Sequence, residues 1–457
     1  MKSISLLTSL AAVSALCVSF ACSSKSDDNG TATAGTSAGD AGDAGDAASD
    51  AGGAARAGST ARGGAPTTGD AGAGDVPSSA GDSSTAGDPG TIGGDGATSC
   101  STGALFAGNP VYDEDFDYAN LEPAGQPLLA DVPLRYRDMA FIGDRLFVQT
   151  QLEVWSADLS KNPVVISRLA GNEPVTDTTN ARIEAGVACK DTQFMIIEGI
   201  AATPSGTLIV ADGRGGALVE LTDPGLATCQ SHYVAGTHAK FLDSDVGTEN
   251  AANPGDVDGK GVDAKFLGVS KPIVAPNGNI FVYDEGNDKL KKVATDADRT
   301  VSTIATFDDN IFALAYLNGK VYASGSDGAN DVLLEIDPSK TANNVKEVYR
   351  DNAHFSELDH ALAVITALVP DGDALIGGGK GYIWRIGTDG TVIATLAGTG
   401  AAIDWPLDFD PTKPHAAKDW VLENTGAGQQ WMTLDRGKLY WAGGVGIARY
   451  VLQLSCP

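Results

Sequence analysis

Positive charge is scarce in this chain: 31 Lys and Arg stand against 59 Asp and Glu, a formal net charge of −28. A phosphate backbone needs a basic face, so a nucleic-acid partner is excluded. Histidine is rarer still, with 5 residues (His232, His238, His354, His360 and His415) and no pair at tight ligand spacing. No Gly-x-Ser-x-Gly elbow, phosphate loop or metalloprotease helix is present. Aromatic residues make up 7% of the chain. The apolar run from Ile4 to Phe20 is too short and wrongly flanked for a spanning helix. With Lys2 before it, the run reads as a secretory signal.

Cysteine is also sparse, and its placement is informative. Ser19-Phe20-Ala21-Cys22 resembles a bacterial lipobox, which implies cleavage after residue 21 and acylation of Cys22. Ser19 departs from that pattern, where an aliphatic residue is usual, and the other reading is an ordinary cleaved signal. Acylation gives membrane attachment without a spanning helix. Apart from Cys17 in the signal, four cysteines remain: Cys100, Cys189, Cys229 and Cys456. An even number in an exported chain predicts disulfides. Of the three pairings, Cys100–Cys456 and Cys189–Cys229 are favoured; the first joins the ends of the folded region and the second lies within one repeat. Free buried thiols are the other reading.

Large side chains are nearly absent from residues 23–99, where eleven Asp face two Arg and one Lys among Ala, Gly, Ser and Thr. Such a segment cannot offset the entropy of ordering, so a disordered tether is predicted. Its end-to-end span would be about 50 Å. The expected organisation is a signal at 1–22, a tether at 23–99 and a folded domain at 100–457.

From Cys100 onward, apolar alternation recurs. Six runs are each opened by a turn residue: Asp144–Val148, Gly206–Val210, Gly278–Val282, Gly319–Ala323, Asp373–Gly377 and Gly437–Trp441. Shorter apolar stretches precede and follow each run, with no helical period between them. Four short strands per repeat predict an all-β fold, a six-bladed β-propeller rather than a sandwich. The equivalent positions Leu146, Leu208, Ile280, Val321, Leu375 and Leu439 are 41 to 72 residues apart, so the excess lies in loops. Three of these loops open alike, with Leu169-Ala170-Gly171, Val234-Ala235-Gly236 and Leu396-Ala397-Gly398. Long loops at equivalent places of a repeat fold gather on one face. The sixth repeat runs out of chain at Pro457, so a strand from the start of the domain, within Val111–Tyr118, is expected to complete it. The Cys100–Cys456 bond would lock that closure, at roughly 4–5 kcal/mol on the entropy model.

The stretch Asp258-Gly259-Lys260-Gly261-Val262-Asp263-Ala264-Lys265-Phe266, followed by Pro272, Pro276-Asn277-Gly278-Asn279, Val282, Asp284 and Asn287, resembles an NHL repeat. A looser copy runs from Gly199 to Asp212, and the later repeats keep only the hydrophobic pattern. The resemblance implies an NHL/YWTD-like propeller, with Asp212 and Asp284 stabilising turns. It also implies that the three long loops link the outer strand of one blade to the inner strand of the next. Zinc-dependent lyases of propeller fold gather three His around a central channel, but loop histidines are the reading preferred here.

Two constellations could carry chemistry. Asp256, Asp258 and Asp263 alternate with Gly, as an oxygen-rich Ca²⁺ loop would, without the bidentate Glu of an EF-hand. Trp405 and Trp420 fall in the last long loop near Asp404, Asp408 and Asp410, either as a ligand platform or as packing. The resulting expectation is a monomeric, lipid-anchored module of a bacterial outer membrane or cell surface. It would bind a protein or glycan through its long-loop face rather than act as an enzyme. The alternative is a metal-dependent lactonase or lyase working in the central channel.

Overall fold

The computed structural model describes residues 100–108, 138–162, 164–171, 186–237, 255–351, 365–379, 381–400, 413–420, 422, 431–443 and 450–456. The signal, Cys22, the tether, Trp405, His238, His354 and His360 lie outside them.

Strand β1 (Thr102–Gly108) precedes six antiparallel sheets. Blade 1 is β2 (Asp138–Ile142), β3 (Arg145–Gln149), β4 (Val154–Asp158) and β5 (Val165–Ala170), paired in that order. Blade 2 follows a two-residue strand, β6 (Val187–Ala188), and comprises β7 (Ile197–Ala202), β8 (Leu208–Asp212), β9 (Ala217–Thr222) and β10 (Gln230–Ala235). Blade 3 repeats this plan with β11 (Gly259–Lys260), then β12 (Val269–Val274), β13 (Ile280–Asp284), β14 (Lys289–Val293) and β15 (Thr300–Thr306). Blade 4 is β16 (Asn310–Leu317), β17 (Lys320–Ser326), β18 (Asp331–Ile336) and β19 (Val345–Asp351). Blade 5 is β20 (Ala367–Asp371), β21 (Ala374–Gly379), β22 (Tyr382–Gly387) and β23 (Val392–Ala397). Blade 6 is preceded by β24 (His415–Ala416) and holds β25 (Trp431–Asp435), β26 (Lys438–Gly443) and β27 (Tyr450–Ser455).

Turn chemistry sets the hairpins. Asn318-Gly319 and Arg436-Gly437 both have positive φ at each residue (50° and 81°, 48° and 73°). This is the two-residue geometry whose twist matches paired strands. Each blade then buries its two faces against its neighbours, so β8 and β13 are buried at every position. The apolar residues form six clusters, each shared by consecutive blades, and the last joins blade 6 (Tyr440, Ala442, Val451) to blade 1 (Met139, Leu146, Val148). The first strands β2, β7, β12, β16, β20 and β25 touch in the same cyclic order, with β25 returning to β2. The fold is a closed six-bladed β-propeller.

Closure uses both ends of the domain, but the closing strand is Thr102–Gly108 and not the expected segment, Val111–Tyr118, which lies outside the described residues. β1 pairs antiparallel with β27 from Thr102↔Ser455 to Gly108↔Tyr450 and forms the outer strand of blade 6. Its sequence, TGALFAG, is small-residue-rich because it packs tightly. A Cβ at Gly103 would lie 2.5 Å from Trp420 Nε1 and 2.9 Å from Leu454 Cδ2. The Cys100–Cys456 disulfide fastens the pair across a separation of 356 residues.

Among the described residues, three blades carry a fifth strand. β6, β11 and β24 pair with β10, β15 and β1, the outer strands of blades 2, 3 and 6. Each belongs to one of the long connections foreseen from Leu-Ala-Gly or Val-Ala-Gly, and each runs into a one-turn 3₁₀ helix: Cys189–Asp191, Gly261–Asp263 and Ala417–Asp419. The three glycines donate backbone hydrogen bonds into these segments, Gly171 to Thr192 O (3.0 Å), Gly236 to Gly261 O (3.0 Å) and Gly398 to Ala417 O (3.1 Å). Phe194, Phe266 and Leu422 follow as buried plugs. In blade 2 the Cys189–Cys229 disulfide staples the connection to the start of β10. The described parts of the long loops therefore build the blade edges.

Candidate functional site

Antiparallel order puts every connection from an outer strand to the next inner strand at one end of the ring, together with the turns joining second and third strands. The inner strands begin at this end, around the mouth of the central channel. Three successive inner strands are irregular there. The register of β7 shifts between Ile197 and Gly199, which puts Glu198 in a bulge. That of β12 shifts between Ser270 and Ile273, freeing Lys271 and Pro272, and that of β16 shifts between Ile311 and Ala313, freeing Phe312. Bulges re-aim side chains and are over-represented beside functional sites.

Lys271 is the most unusual of these residues. Its φ of 51° lies in the left-handed region, which is uncommon for a long side chain within a strand. Its ammonium donates to Ser270 Oγ (3.3 Å) and stands 5.2 Å from the centre of the Tyr283 ring. Among the described residues no carboxylate forms an ion pair with it. Burial pushes its proton affinity below that of an ordinary lysine, while Glu285 and Glu198 pull it back up through space.

Across β7 from Lys271, Asp138 opens β2. Its Oδ1 accepts from Met139 N (2.8 Å), and its Oδ2 accepts from Ile200 N of blade 2 (2.9 Å). Burial outweighs those two bonds and raises its carboxyl to about 7. Gly199 lies between the strands: a Cβ there would meet Pro272 Cδ at 2.5 Å, Lys271 N at 3.3 Å and Asp138 Oδ2 at 3.4 Å. The mouth is thus built from blades 1 to 3, with groups able to donate, accept and exchange protons.

The sequence did not single out Asp138, Glu198 or Lys271. Its signal was a charged residue at the start of an otherwise apolar inner strand, as in Ile-Ile-Glu-Gly-Ile and Val-Ser-Lys-Pro-Ile, with Pro272 marking the bulge.

The expected Ca²⁺ loop has a different content. Asp256 and Asp258 face Lys291, whose side chain is fully buried, at 2.9 and 3.5 Å, and Asp284 completes the set at 3.5 Å. Lys291 also donates to Lys265 O (3.2 Å) and lies over the Phe266 ring. Lys289 pairs with Asp256 as well, and Asp258 accepts from Thr303 N and Oγ1. Asp263 sits apart on the exposed 3₁₀ turn. The cation these carboxylates surround is an ammonium of the chain itself. Among the described residues no group of three or more His, Cys, Asp or Glu is gathered to hold a metal ion.

Trp420 also corrects an expectation. It is fully buried in the cluster between blades 5 and 6, beneath Gly103, and offers no surface to a ligand. His232 and His415 lie on β10 and β24, the outer parts of blades 2 and 6, away from the channel. Asp212 and Asp284 act as the repeat resemblance implied. Asp212 accepts from the amides of Met195, Ile196 and Gly215, and Asp284 from Leu267 N and Asn287 Nδ2, tying each inner-strand entry to a turn.

A cavity of about 500 Å³ lies at the opposite end, at the seam of blades 6 and 1, lined by Phe106, Leu159, Val164, Tyr440 and Gln453. Arg436 on its rim bridges Asp435 (2.9 Å) and Asp144 of blade 1 (2.6 Å), so that rim fastens the ring.

No protein-family model and no curated sequence matches the chain. Among solved structures it is similar to an auxiliary nutrient binding protein from Bacteroides thetaiotaomicron, with 11% identity, 78% of this chain and 76% of that one covered, and a TM-score of 0.47. It is also similar to virginiamycin B lyase from Staphylococcus aureus (10% identity, 71% and 96% covered, TM-score 0.41). A third is a gluconolactonase from Xanthomonas campestris (13% identity, 71% and 87% covered, TM-score 0.41).

Proposed function

We propose that this chain is an exported binding protein, held to a bacterial envelope through acylated Cys22, whose propeller takes a glycan at the mouth of its central channel. The observation that supports the site is the run of bulges in β7, β12 and β16, which places Glu198 and Lys271 beside Asp138 at one end of the ring. Acid, base and amine groups at a narrow opening suit hydroxyl-rich ligands. A protein partner needs about 800 Å² of contact per side. Among the described residues, the exposed large apolar side chains Val165, Leu226, Val257, Val262, Val345 and Ile393 are spread over blades 1 to 5.

Calorimetric titration of the mature protein with neutral oligosaccharides is expected to give saturable binding. Glu198→Gln is expected to weaken it about tenfold, the loss of one charge-assisted hydrogen bond. Binding indifferent to that substitution, or none at millimolar sugar, overturns the site. Anchoring is tested separately: fatty-acid labelling in the source cell type is expected for the wild type and not for Cys22→Ser, and an unlabelled wild type refutes it.

A further inference from the structure

The chain keeps two lysines inside the propeller in opposite company. Lys291 stands among Asp256, Asp258 and Asp284, within ion-pair distance of all three. Among the described residues Lys271 forms no ion pair and lies against the Ser270 hydroxyl and the face of Tyr283, and an ammonium has three protons to place. The backbone holds it with φ at 51° in a bulge at the channel mouth, a conformation that a solvent-facing lysine would not need. The residue is half-buried and not sealed in the core.

We propose that Lys271 is a covalent capture site for an uncharged aldehyde, which its side-chain nitrogen takes up as an imine. The amine lone pair adds to the carbonyl carbon, and the carbonyl oxygen gains a proton to give a carbinolamine. Loss of water then leaves the C=N bond. Amine plus aldehyde becomes imine plus water, with no redox change. Desolvation, which favours the neutral amine, supplies the nucleophilic form at lower pH than for a surface lysine. Aldehydes without charge are favoured because Glu198 of blade 2 and Glu285 of blade 3 act on the amine, and Asp288 hydrogen-bonds the Tyr283 hydroxyl behind it (3.2 Å). The open-chain form of a reducing sugar belongs to this class. The inference goes beyond glycan binding and does not require it.

The test is reductive trapping of the full mature protein at pH 7 with glyceraldehyde and cyanoborohydride, read by intact mass and peptide mapping. Lys271 is expected to be modified faster than exposed Lys438, because burial favours its free amine. Lys271→Arg should lose that label at unchanged melting temperature. Pyruvate, an anionic carbonyl, should label Lys271 less than glyceraldehyde does. Glu198→Gln should increase the rate at Lys271, because it removes a charge that favours the ammonium, and this response distinguishes a tuned amine from a merely accessible one. Even labelling of Lys271 and Lys438, or a Lys271 rate unmoved or lowered by Glu198→Gln, overturns the proposal.

Discussion

Replacing Cys100 and Cys456 together by Ser is expected to lower the unfolding free energy by about 4–5 kcal/mol, read from the midpoint of denaturant unfolding. The bond spans 356 residues, so its removal releases nearly the whole folded domain from a covalent ring. The pairing of β1 with β27 completes blade 6, and Cys100 N also bonds Leu396 O of blade 5 at 3.1 Å. In the variant, β1 becomes a terminal strand that can leave on its own. Its departure uncovers the edge of β27 and the side of Trp420 against Gly103. A second expected change is a loss of cooperativity, with fluorescence from the tryptophans of blade 6 changing before the bulk of the sheet signal. The Cys189–Cys229 bond closes a separation of only 40 residues, so its double Ser variant should lose about 2 kcal/mol less. If the Cys100/Cys456 variant unfolds at the wild-type midpoint, strand pairing alone closes the ring and the entropy account is wrong.

The propeller was legible because its signals are local. Alternation opened by Gly or Asp marks the second strand of each blade, and cysteine count with chain order pointed to the seam. What stayed hidden depends on packing between distant segments. β1 was overlooked because TGALFAG has the small residues of a tightly packed strand rather than bulky alternation. The long connections read as one exposed face, yet Val187-Ala188, Gly259-Lys260 and His415-Ala416 are short because each only extends an existing sheet edge. Trp420 read equally as platform or packing, and burial decided for packing. Lys271 could not be read from propensity, since a left-handed lysine before Pro272 is imposed by the inner ring. Lys291 was readable in principle. In Lys-Leu-Lys-Lys-Val the period-two rule puts it on the same face as Val293, which is buried, so an inward lysine required acidic partners.

Those partners make the loss of the Lys291 charge costly. Lys291→Met keeps an unbranched apolar side chain at this buried position and removes the charge, leaving Asp284 buried and Asp256 and Asp258 facing it. Removing one partner of a buried pair typically costs 3–5 kcal/mol. Asp256 and Asp258 are 36% and 43% exposed and solvent screens them, so a value of about 3 kcal/mol is expected at pH 7. The loss should depend on pH in a defined direction. Hydrogen bonds from Lys289 and Lys291 hold the Asp256 carboxyl below the usual carboxylate range. A depressed carboxyl stabilises the fold above its unfolded value near 3.8 and loses that contribution as pH falls through the lower, folded value. Acidification therefore removes from the wild type part of what the variant already lacks, and the difference between them should shrink below about pH 4. Calcium supplies the discriminating arm. An ion needs oxygen ligands that the ammonium occupies in the wild type, so millimolar Ca²⁺ should leave its melting temperature unchanged and raise that of Lys291→Met. A wild type stabilised by Ca²⁺ would show that the Asp256–Asp263 loop binds the metal alongside Lys291. A variant as stable as the wild type would show that the carboxylates need no internal counter-charge.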